Sequence, residues 1–269
     1  MRIQTILVGM DWSAAAMDAW REACLIATTF GAQLVLVHAI PEEVAERERD
    51  QVVLRAEELL RDMSLGETCR PRVLVQGGRA DDVLLAAGKE QEADLVVLGA
   101  GARGTLDRML LGSAAERIVR ESPVPVWLAR PGRAHEAVRR VLCALDGNPT
   151  SSMAAESRAA LRAAVFLCRT FVADLTVVTV VPDERALSAG EEALRKELET
   201  IDCHGLRTAI VVRSGKAAQG IVDAAAEPGC DLLVMGTRGR TGLAHLWTGS
   251  TAERVIRAVP SSTLIVKSS

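Results

Sequence analysis

The sequence lacks tyrosine altogether, and aromatic residues make up only 3% of its 269 residues. Stacking surfaces for bases or sugars are built from aromatic side chains, so few can be built here. The chain also lacks an excess of positive charge, because 32 basic residues face 35 acidic ones, for a formal net charge of −3. Proteins that bind nucleic acid or anionic membranes usually carry a basic surface. We therefore expect neither nucleic acid nor a membrane as a partner.

Patterns for disulfides, metal sites and membrane spans are missing too. The six cysteines contain no C-x-x-C pair and mostly fall in apolar periodic segments, as buried thiols do in a reducing compartment, and the four histidines form no pair at metal-ligand spacing. Arg162, Arg169 and Asp174 interrupt the longest apolar stretch before it reaches the ~20 residues of a membrane span. No secretion signal is visible. We expect a cytoplasmic protein with free thiols.

Motifs for fast catalysis are also absent. The chain has no GxxxxGK[ST] loop, no Ser/His/Asp arrangement and no glutamate obviously placed to activate water. We therefore assign no catalytic residue.

What the sequence does contain is an internal repeat. The segment ADLVVLGAGARGTLDRMLLGSAAERIV aligns without a gap on CDLLVMGTRGRTGLAHLWTGSTAERVI at an offset of 137 residues, and the same offset places Gly78 over Gly215. A repeat of this length is too long for a solenoid unit and fits two copies of one domain. Residues 129–140 have the Pro-, Gly- and Arg-rich composition of a linker. We predict one domain over residues 1–132 and a second over 138–269.

Each copy alternates short apolar runs with longer segments of helical period. The runs predict five strands per half, near residues 3–10, 33–39, 71–76, 94–98 and 124–129, and near 140–145, 174–181, 207–213, 231–235 and 262–267. Helices are predicted near residues 14–30, 43–63, 80–92 and 113–121 of the first half. Strands that are apolar on both faces belong to parallel sheets covered by helices on both sides. The predicted fold class is α/β, with two tandem doubly wound five-stranded parallel-sheet domains of Rossmann-like type, whose ligand site lies beyond the carboxyl ends of the strands.

A glycine-containing loop follows the fourth strand of each half. In the first half, GAGARG has the G-x-G-x-x-G spacing of a dinucleotide loop. In the second half, Gly236, Gly239 and Gly249 are spaced G-x2-G-x9-G, and nine residues precede the last glycine, whereas a dinucleotide loop enters its helix at once. Such glycines allow close backbone approach, and the N–H groups of the loop and of the next helix gather positive charge. We predict a polyphosphate site, to which Arg238 and Arg240 add charge.

With Asp146 at the end of the first strand of this half, the loop resembles that of the ATP-binding branch of the universal stress protein family. The resemblance covers essentially the whole chain as a tandem pair, and it implies a fold like that of the adenine nucleotide α hydrolases, with ATP across the switch point of the sheet. It also implies a set of contacts. Asp146 would lie near the adenosine, Val180 and Met235 against the base or ribose, and the phosphates among Gly236, Gly239, Gly249, Ser250 and Thr251. Mg²⁺ or Mn²⁺ would fit between the phosphates, although no ligand cluster in the sequence identifies it.

The first half departs from this motif. Its corresponding residues are Asp11, Gly99, Arg103, Gly112 and Ser113, but Ala102 stands where the second half has Gly239. If the position requires positive φ, an alanine costs about 1 kcal/mol, and its methyl group would stand where a phosphate oxygen approaches. Asp107, in place of Ala244, adds a negative charge near a polyanion. We predict ATP in the second half and weak or no binding in the first.

Structural roles compete for the same residues. Ser113 and Ser250 each begin an S-x-x-E capping box, which predicts that both serines are helix N-caps. Asp11 and Asp146 can equally be turn or cap residues before the next helix. Gly78 and Gly215 are predicted to form strand-to-helix turns.

Three functions remain open at this point. The first is an ATP-binding stress-response or regulatory protein that works through nucleotide-dependent conformation or association. The second is an ATPase that is slow at most, and the third is a nucleotide-free dimerising interaction module. In the family, strands such as VPVWLA and STLIVK pair between subunits, so the resemblance implies pseudo-two-fold packing of the two halves and a homodimer. The sequence does not identify a downstream partner.

Overall fold

The structure is a computed structural model of the chain. It describes residues 2–42, 50–51, 53–55, 57–58, 70–100, 111–132, 137–146, 155–227, 229–236 and 250–267. These residues form two compact units, one before residue 133 and the other after residue 136.

The first unit is a five-stranded parallel sheet with helices between its strands. Its strands are β1 (Thr5–Gly9), β2 (Gln33–Ile40), β3 (Arg72–Gly77), β4 (Leu95–Gly99) and β5 (Val126–Ala129), in the spatial order β3-β2-β1-β4-β5. Its helices are α1 (Ala14–Phe30), α2 (Ala80–Glu90) and α3 (Ser113–Glu121). The described residues between 50 and 58 are also helical and lie within the predicted helix 43–63.

The second unit repeats this layout. Its strands are β6 (Arg140–Ala144), β7 (Asp174–Val181), β8 (Thr208–Ser214), β9 (Leu232–Gly236) and β10 (Ser262–Val266), in the order β8-β7-β6-β9-β10 and again parallel. Its helices are α4 (Ala155–Phe171), α5 (Leu187–Glu199), α6 (Ala217–Ala226) and α7 (Ser250–Ala258), and a short 3-10 turn (Glu184–Ala186) precedes α5. In both units the strand order reverses beside the first strand, which confirms the predicted doubly wound fold class.

The central strands are buried on both faces, because helices cover both sides of each sheet. Leu95, Val96, Val97 and Leu98 of β4 are each at most 5% exposed, as are the matching residues of β9. Strands that are apolar on both faces must be shielded from water on both sides, and helices packed on both faces of a parallel sheet provide this shielding. This explains why the strand positions could be predicted from apolar runs alone.

An aspartate holds the amino end of the first strand in each unit. The Asp94 carboxylate accepts hydrogen bonds from the backbone N–H groups of Gln4 (2.7 Å) and Thr5 (3.0 Å). Asp231 does the same for Arg139 (2.9 Å) and Arg140 (2.8 Å). The signal is the repeated dipeptide Asp-Leu at the start of the fourth strand, which the sequence reasoning did not use.

The described cysteines are free thiols, as predicted. Cys24, Cys143, Cys168 and Cys230 are buried, and Cys203 is partly exposed. Burial disfavours the thiolate, so it raises the pKa of Cys168 to about 12. Among the described residues, no helix combines the length and apolar character that a membrane crossing requires.

Candidate functional site

Four of the predicted site residues of the second unit, Asp146, Val180, Met235 and Gly236, lie near the carboxyl ends of β6, β7 and β9. Ala144 of β6 lies in register with Val178 of β7 on one side and with Met235 of β9 on the other. The N–H of Leu145 then donates to the carbonyl of Val178 at 2.9 Å. Asp146 lies two residues beyond β6, Val180 is the second-last residue of β7 and Gly236 is the last of β9, so all three lie near the switch point, where open α/β sheets bind ligands.

Asp146 is held by a residue that the sequence reasoning missed. Its backbone N–H donates to the hydroxyl of Ser157 at 3.2 Å, and Ser157 is a buried residue of α4. Burying a serine hydroxyl costs folding free energy unless the hydroxyl forms a hydrogen bond. Its signal in the sequence, one polar residue among many in a helical segment, is too weak to single out.

Val180 and Met235 form an apolar surface on the side of the sheet covered by α6 and α7. Met235 is 5% exposed and belongs to a cluster that includes Ala252 of α7, and the half-buried Val180 packs against this cluster. Val180 also contacts Gly220 of α6 so closely that a Cβ there would lie 2.8 Å from the valine Cγ2. Packing against the core therefore holds the Val180 and Met235 side chains in place.

The first glycine of each loop motif has a packing role. A Cβ on Gly99 would lie 2.3 Å from the carbonyl carbon of Ala15, and one on Gly236 would lie 2.9 Å from the Cβ of Glu156. Neither glycine has a φ in the left-handed region. The close approach of α1 to β4 and of α4 to β9 therefore accounts for these two glycines without any ligand, and their phosphate contact stays a prediction.

The predicted capping box at Ser113 is wrong. Gly112, not Ser113, is the N-cap of α3: its backbone is extended (φ −66°, ψ 156°), and its carbonyl accepts from the N–H of Glu116 at 2.9 Å. Ser113 is therefore the first helical residue of α3. Helix α7 likewise begins at Ser250. Gly112 has no side chain, so the N-cap itself offers no side-chain acceptor to the first turn of α3.

A Cβ on Gly112 would meet nothing within 4 Å. Thr251 lies in the first turn of α7 and is half-buried. The remaining predicted residues, Arg103, Arg238, Gly239, Arg240 and Gly249, lie outside the described residues.

In the first unit, the carboxylate of Asp11 has a turn role. It accepts from the N–H of Ser13 at 3.0 Å and from its hydroxyl at 2.5 Å, and the same hydroxyl accepts from the N–H of Ala16 at 3.1 Å to cap α1. The neighbouring Trp12 has a left-handed φ of 63°, and its indole N–H donates to Nε2 of His38 at 3.4 Å. Within the described parts of the chain, no group of three or more His, Cys, Asp or Glu could hold a metal ion.

Comparison with known proteins gives a consistent result. The model of the "Universal stress protein family" matches residues 2–130 and again 137–267. Universal stress protein MJ0531 of Methanocaldococcus jannaschii is 40% identical over 78 residues, which are 29% of this chain and 46% of that protein. The chain thus spans less than half the length of this relative.

Solved structures show the same fold over the whole chain. A universal stress protein from Archaeoglobus fulgidus superposes with a TM-score of 0.81 and 20% identity, covering 100% of both chains. A universal stress protein solved in complex with cAMP covers 50% of this chain with 23% identity and a TM-score of 0.40.

Proposed function

Because the chain belongs to the universal stress protein family, whose domain it carries twice in tandem, we propose that its second unit binds ATP in a regulatory or stress-response role. Occupancy by the nucleotide would bias the conformation or the association of the protein. Hydrolysis, if it accompanies binding, is slow.

The convergence of Asp146, Val180 and Met235 at the switch point is the observation that carries this proposal. A buried apolar surface that ends beside a carboxylate suits a nucleoside, whose base is apolar on its faces and whose ribose presents hydroxyl groups. The half-buried position of Asp146, held by Ser157, allows its side chain to reach such a ligand.

The phosphates would lie towards the first turn of α7, where Ser250 and Thr251 begin the helix. Free N–H groups and the positive end of a helix favour an anion at this place. The sequence adds Gly236, Gly239 and Gly249 with Arg238 and Arg240 around the same tail. Mg²⁺ or Mn²⁺ would be held by the phosphate oxygens of the nucleotide.

The test is to purify the protein without added nucleotide, denature it, and identify any released nucleotide by mass. We expect ATP or ADP from the unaltered chain and from Gly112→Val, and none from Gly239→Val, because the added side chain would occupy the phosphate position. Gly112→Val is a matched control, since its first added carbon meets nothing within 4 Å.

Two results would contradict the proposal. One is the absence of any bound nucleotide together with no thermal shift on adding ATP, which would favour the nucleotide-free dimerising module. The other is rapid ATP hydrolysis that the variant Asp146→Ala abolishes, which would indicate that the protein is an ATPase. Light scattering with and without ATP then measures whether the nucleotide changes a homodimer equilibrium.

A further inference from the structure

A cavity of about 470 Å³ opens at the carboxyl end of β8, the outermost strand in the order of the second unit. It is lined by Arg213 and Ser214 at the end of the strand and by Lys216, Gln219, Gly220 and Asp223 around the start of α6. None of these residues belongs to the proposed nucleotide site.

Two cationic side chains line this cavity, and both have unused donors. One arm of the Arg213 guanidinium pairs with Glu227, while its Nε–H is buried and has no hydrogen-bond partner within the described residues. Lys216 forms no ion pair with any part of the chain that the structure describes. The Arg213 side chain is 31% exposed and Lys216 is exposed, so both cations can donate to an anion in the cavity.

The backbone adds to the positive character of the cavity. Gly215, with φ of 112°, turns the chain out of β8, and Lys216 is the extended N-cap of α6 with no side-chain hydrogen bond to the helix. The first N–H groups of this ten-residue helix therefore have no side-chain acceptor from their cap. The acid in the lining, Asp223, already accepts from the amide of Gln219 at 2.7 Å.

The first unit is different at the matching positions, which lie 137 residues earlier. There the start of α2 carries Asp81 and Asp82, and Arg79 lies 3.1 Å from Asp81 and 3.7 Å from Asp82. The second unit has alanine and glutamine in place of these two aspartates, and an arginine, Arg213, in place of Gln76. Asp223 of the lining stands in place of Ala86, so the second copy lacks two negative charges here and carries one additional positive and one additional negative charge.

We propose that the cavity at the end of β8 binds a phosphate group, either free or carried by a small metabolite, through Arg213, Lys216 and the first turn of α6. A compact oxyanion fits this donor set, because it offers acceptors in several directions to donors that converge from a strand, a cap and a helix. The site adjoins the proposed ATP site, because Gly220 of its lining contacts Val180, but the two sites share no residue.

The test is calorimetric titration with inorganic phosphate against a chloride background of equal ionic strength. We expect saturable binding, weakened on the order of tenfold by Lys216→Gln and by Arg213→Gln, since each removes a charge-assisted hydrogen bond. Lys196→Gln is the matched control, because it removes the same charge from an exposed residue of α5 that pairs with Glu192. This control should bind phosphate as the unaltered chain does.

ATP titration of the same variants separates this site from the proposed nucleotide site. Lys216→Gln should bind ATP with unchanged affinity, and failure of ATP to bind at all would leave the phosphate result standing. The proposal would be overturned if the unaltered chain did not bind phosphate, or if Lys216→Gln bound it equally well. Loss of ATP affinity in Lys216→Gln would also overturn it, because the cavity would then hold a phosphate of the nucleotide itself.

Discussion

Val172 directly follows the last residue of helix α4 and has a backbone conformation that a β-branched residue rarely adopts. Its φ is 56° and its side chain is 89% exposed, so no packing explains its presence there. The next residue closes the helix end with a hydrogen bond from Ala173 N–H to the Cys168 carbonyl at 2.8 Å. In the first unit, Gly31 follows α1 with a φ of 65°, and the next residue likewise donates its N–H to the carbonyl five residues earlier. Glycine has no Cβ to clash in this region, whereas valine is strained.

We predict that Val172→Gly raises the free energy of unfolding by about 1 kcal/mol, because relief of the left-handed strain exceeds the entropy that a glycine adds to the unfolded chain. The reverse exchange, Gly31→Val, should lower it by a similar amount, since a Cβ at Gly31 meets nothing within 4 Å and only the backbone suffers. Urea unfolding of both variants measures the two effects. A destabilising Val172→Gly beside a harmless Gly31→Val would show that backbone strain is not what distinguishes these helix ends.

At the residue scale, the sequence identified the glycines and serines of the loop motif, but it could not predict whether each one packs against a helix or caps one. Gly99 and Gly112 belong to one motif, yet Gly99 makes room for the backbone of α1, whereas Gly112 is the N-cap of α3 and an added Cβ there would meet nothing within 4 Å. The distinction depends on which helix passes over which strand end. The capping box failed for a similar reason, because a one-residue shift in the start of the helix turned Ser113 from the cap into the first helical residue.

At the scale of elements, an ion-pair network joins α2 to α3 in the first unit. The buried carboxylate of Asp81 accepts from Arg117 of α3 at 2.7 Å and from Arg79 at 3.1 Å, and the more exposed Asp82 also accepts from Arg117. Hydrogen bonds from the two guanidinium groups hold the pKa of Asp81 well below its usual range. The second unit has no such aspartates on α6, where Ala218 packs against an apolar cluster instead.

We predict that Asp81→Asn lowers the free energy of unfolding by about 1–3 kcal/mol at neutral pH, as expected for hydrogen bonds to a charged group. The control Asp82→Asn should cost less than about 1 kcal/mol, because an exposed ion pair contributes little. Since the folded-state pKa of Asp81 is lowered, its stabilisation is complete above about pH 4, the ordinary aspartate range, and is lost as the pH falls further. Denaturant unfolding at pH 7 and at pH 2 checks this. A difference between the unaltered chain and Asp81→Asn that stayed constant between these pH values would contradict it.

The elements themselves were the most predictable part of the fold. Strand β7 occupies residues 174–181 as predicted, and α1 occupies 14–30, because apolar runs and helical period report burial directly. The hydrogen bonds that hold the site were not predictable. Ser157 reaches Asp146 only because α4 crosses the end of β6, a relation between elements that no local pattern encodes.

At the scale of the whole molecule, the repeat was the strongest signal in the sequence. Two copies of one layout appear in the structure, with equivalent turns at Gly78 (φ 135°) and Gly215 (φ 112°). Duplication frees one copy to diverge while the other keeps its task, and the departures from the family motif gather in the first half, at Ala102 and Asp107. The charges at the start of α2 and α6 are a second place where the two copies differ.

This divergence predicts a stoichiometry of one ATP per chain, bound by the second unit. Replacing Ala102 by glycine and Asp107 by alanine in one variant restores the residues that the second half carries, so we expect it to raise the stoichiometry towards two. If the loop follows the family motif, Ala102→Gly would free the position that a phosphate oxygen approaches, and Asp107→Ala would remove a negative charge near the polyanion. Calorimetric titration with ATP measures the number of sites, and the mirror variant, Gly239→Ala with Ala244→Asp, should reduce it towards zero. Two sites in the unaltered chain, or a mirror variant that still binds one ATP, would mean that the loop motif does not determine which unit holds the nucleotide.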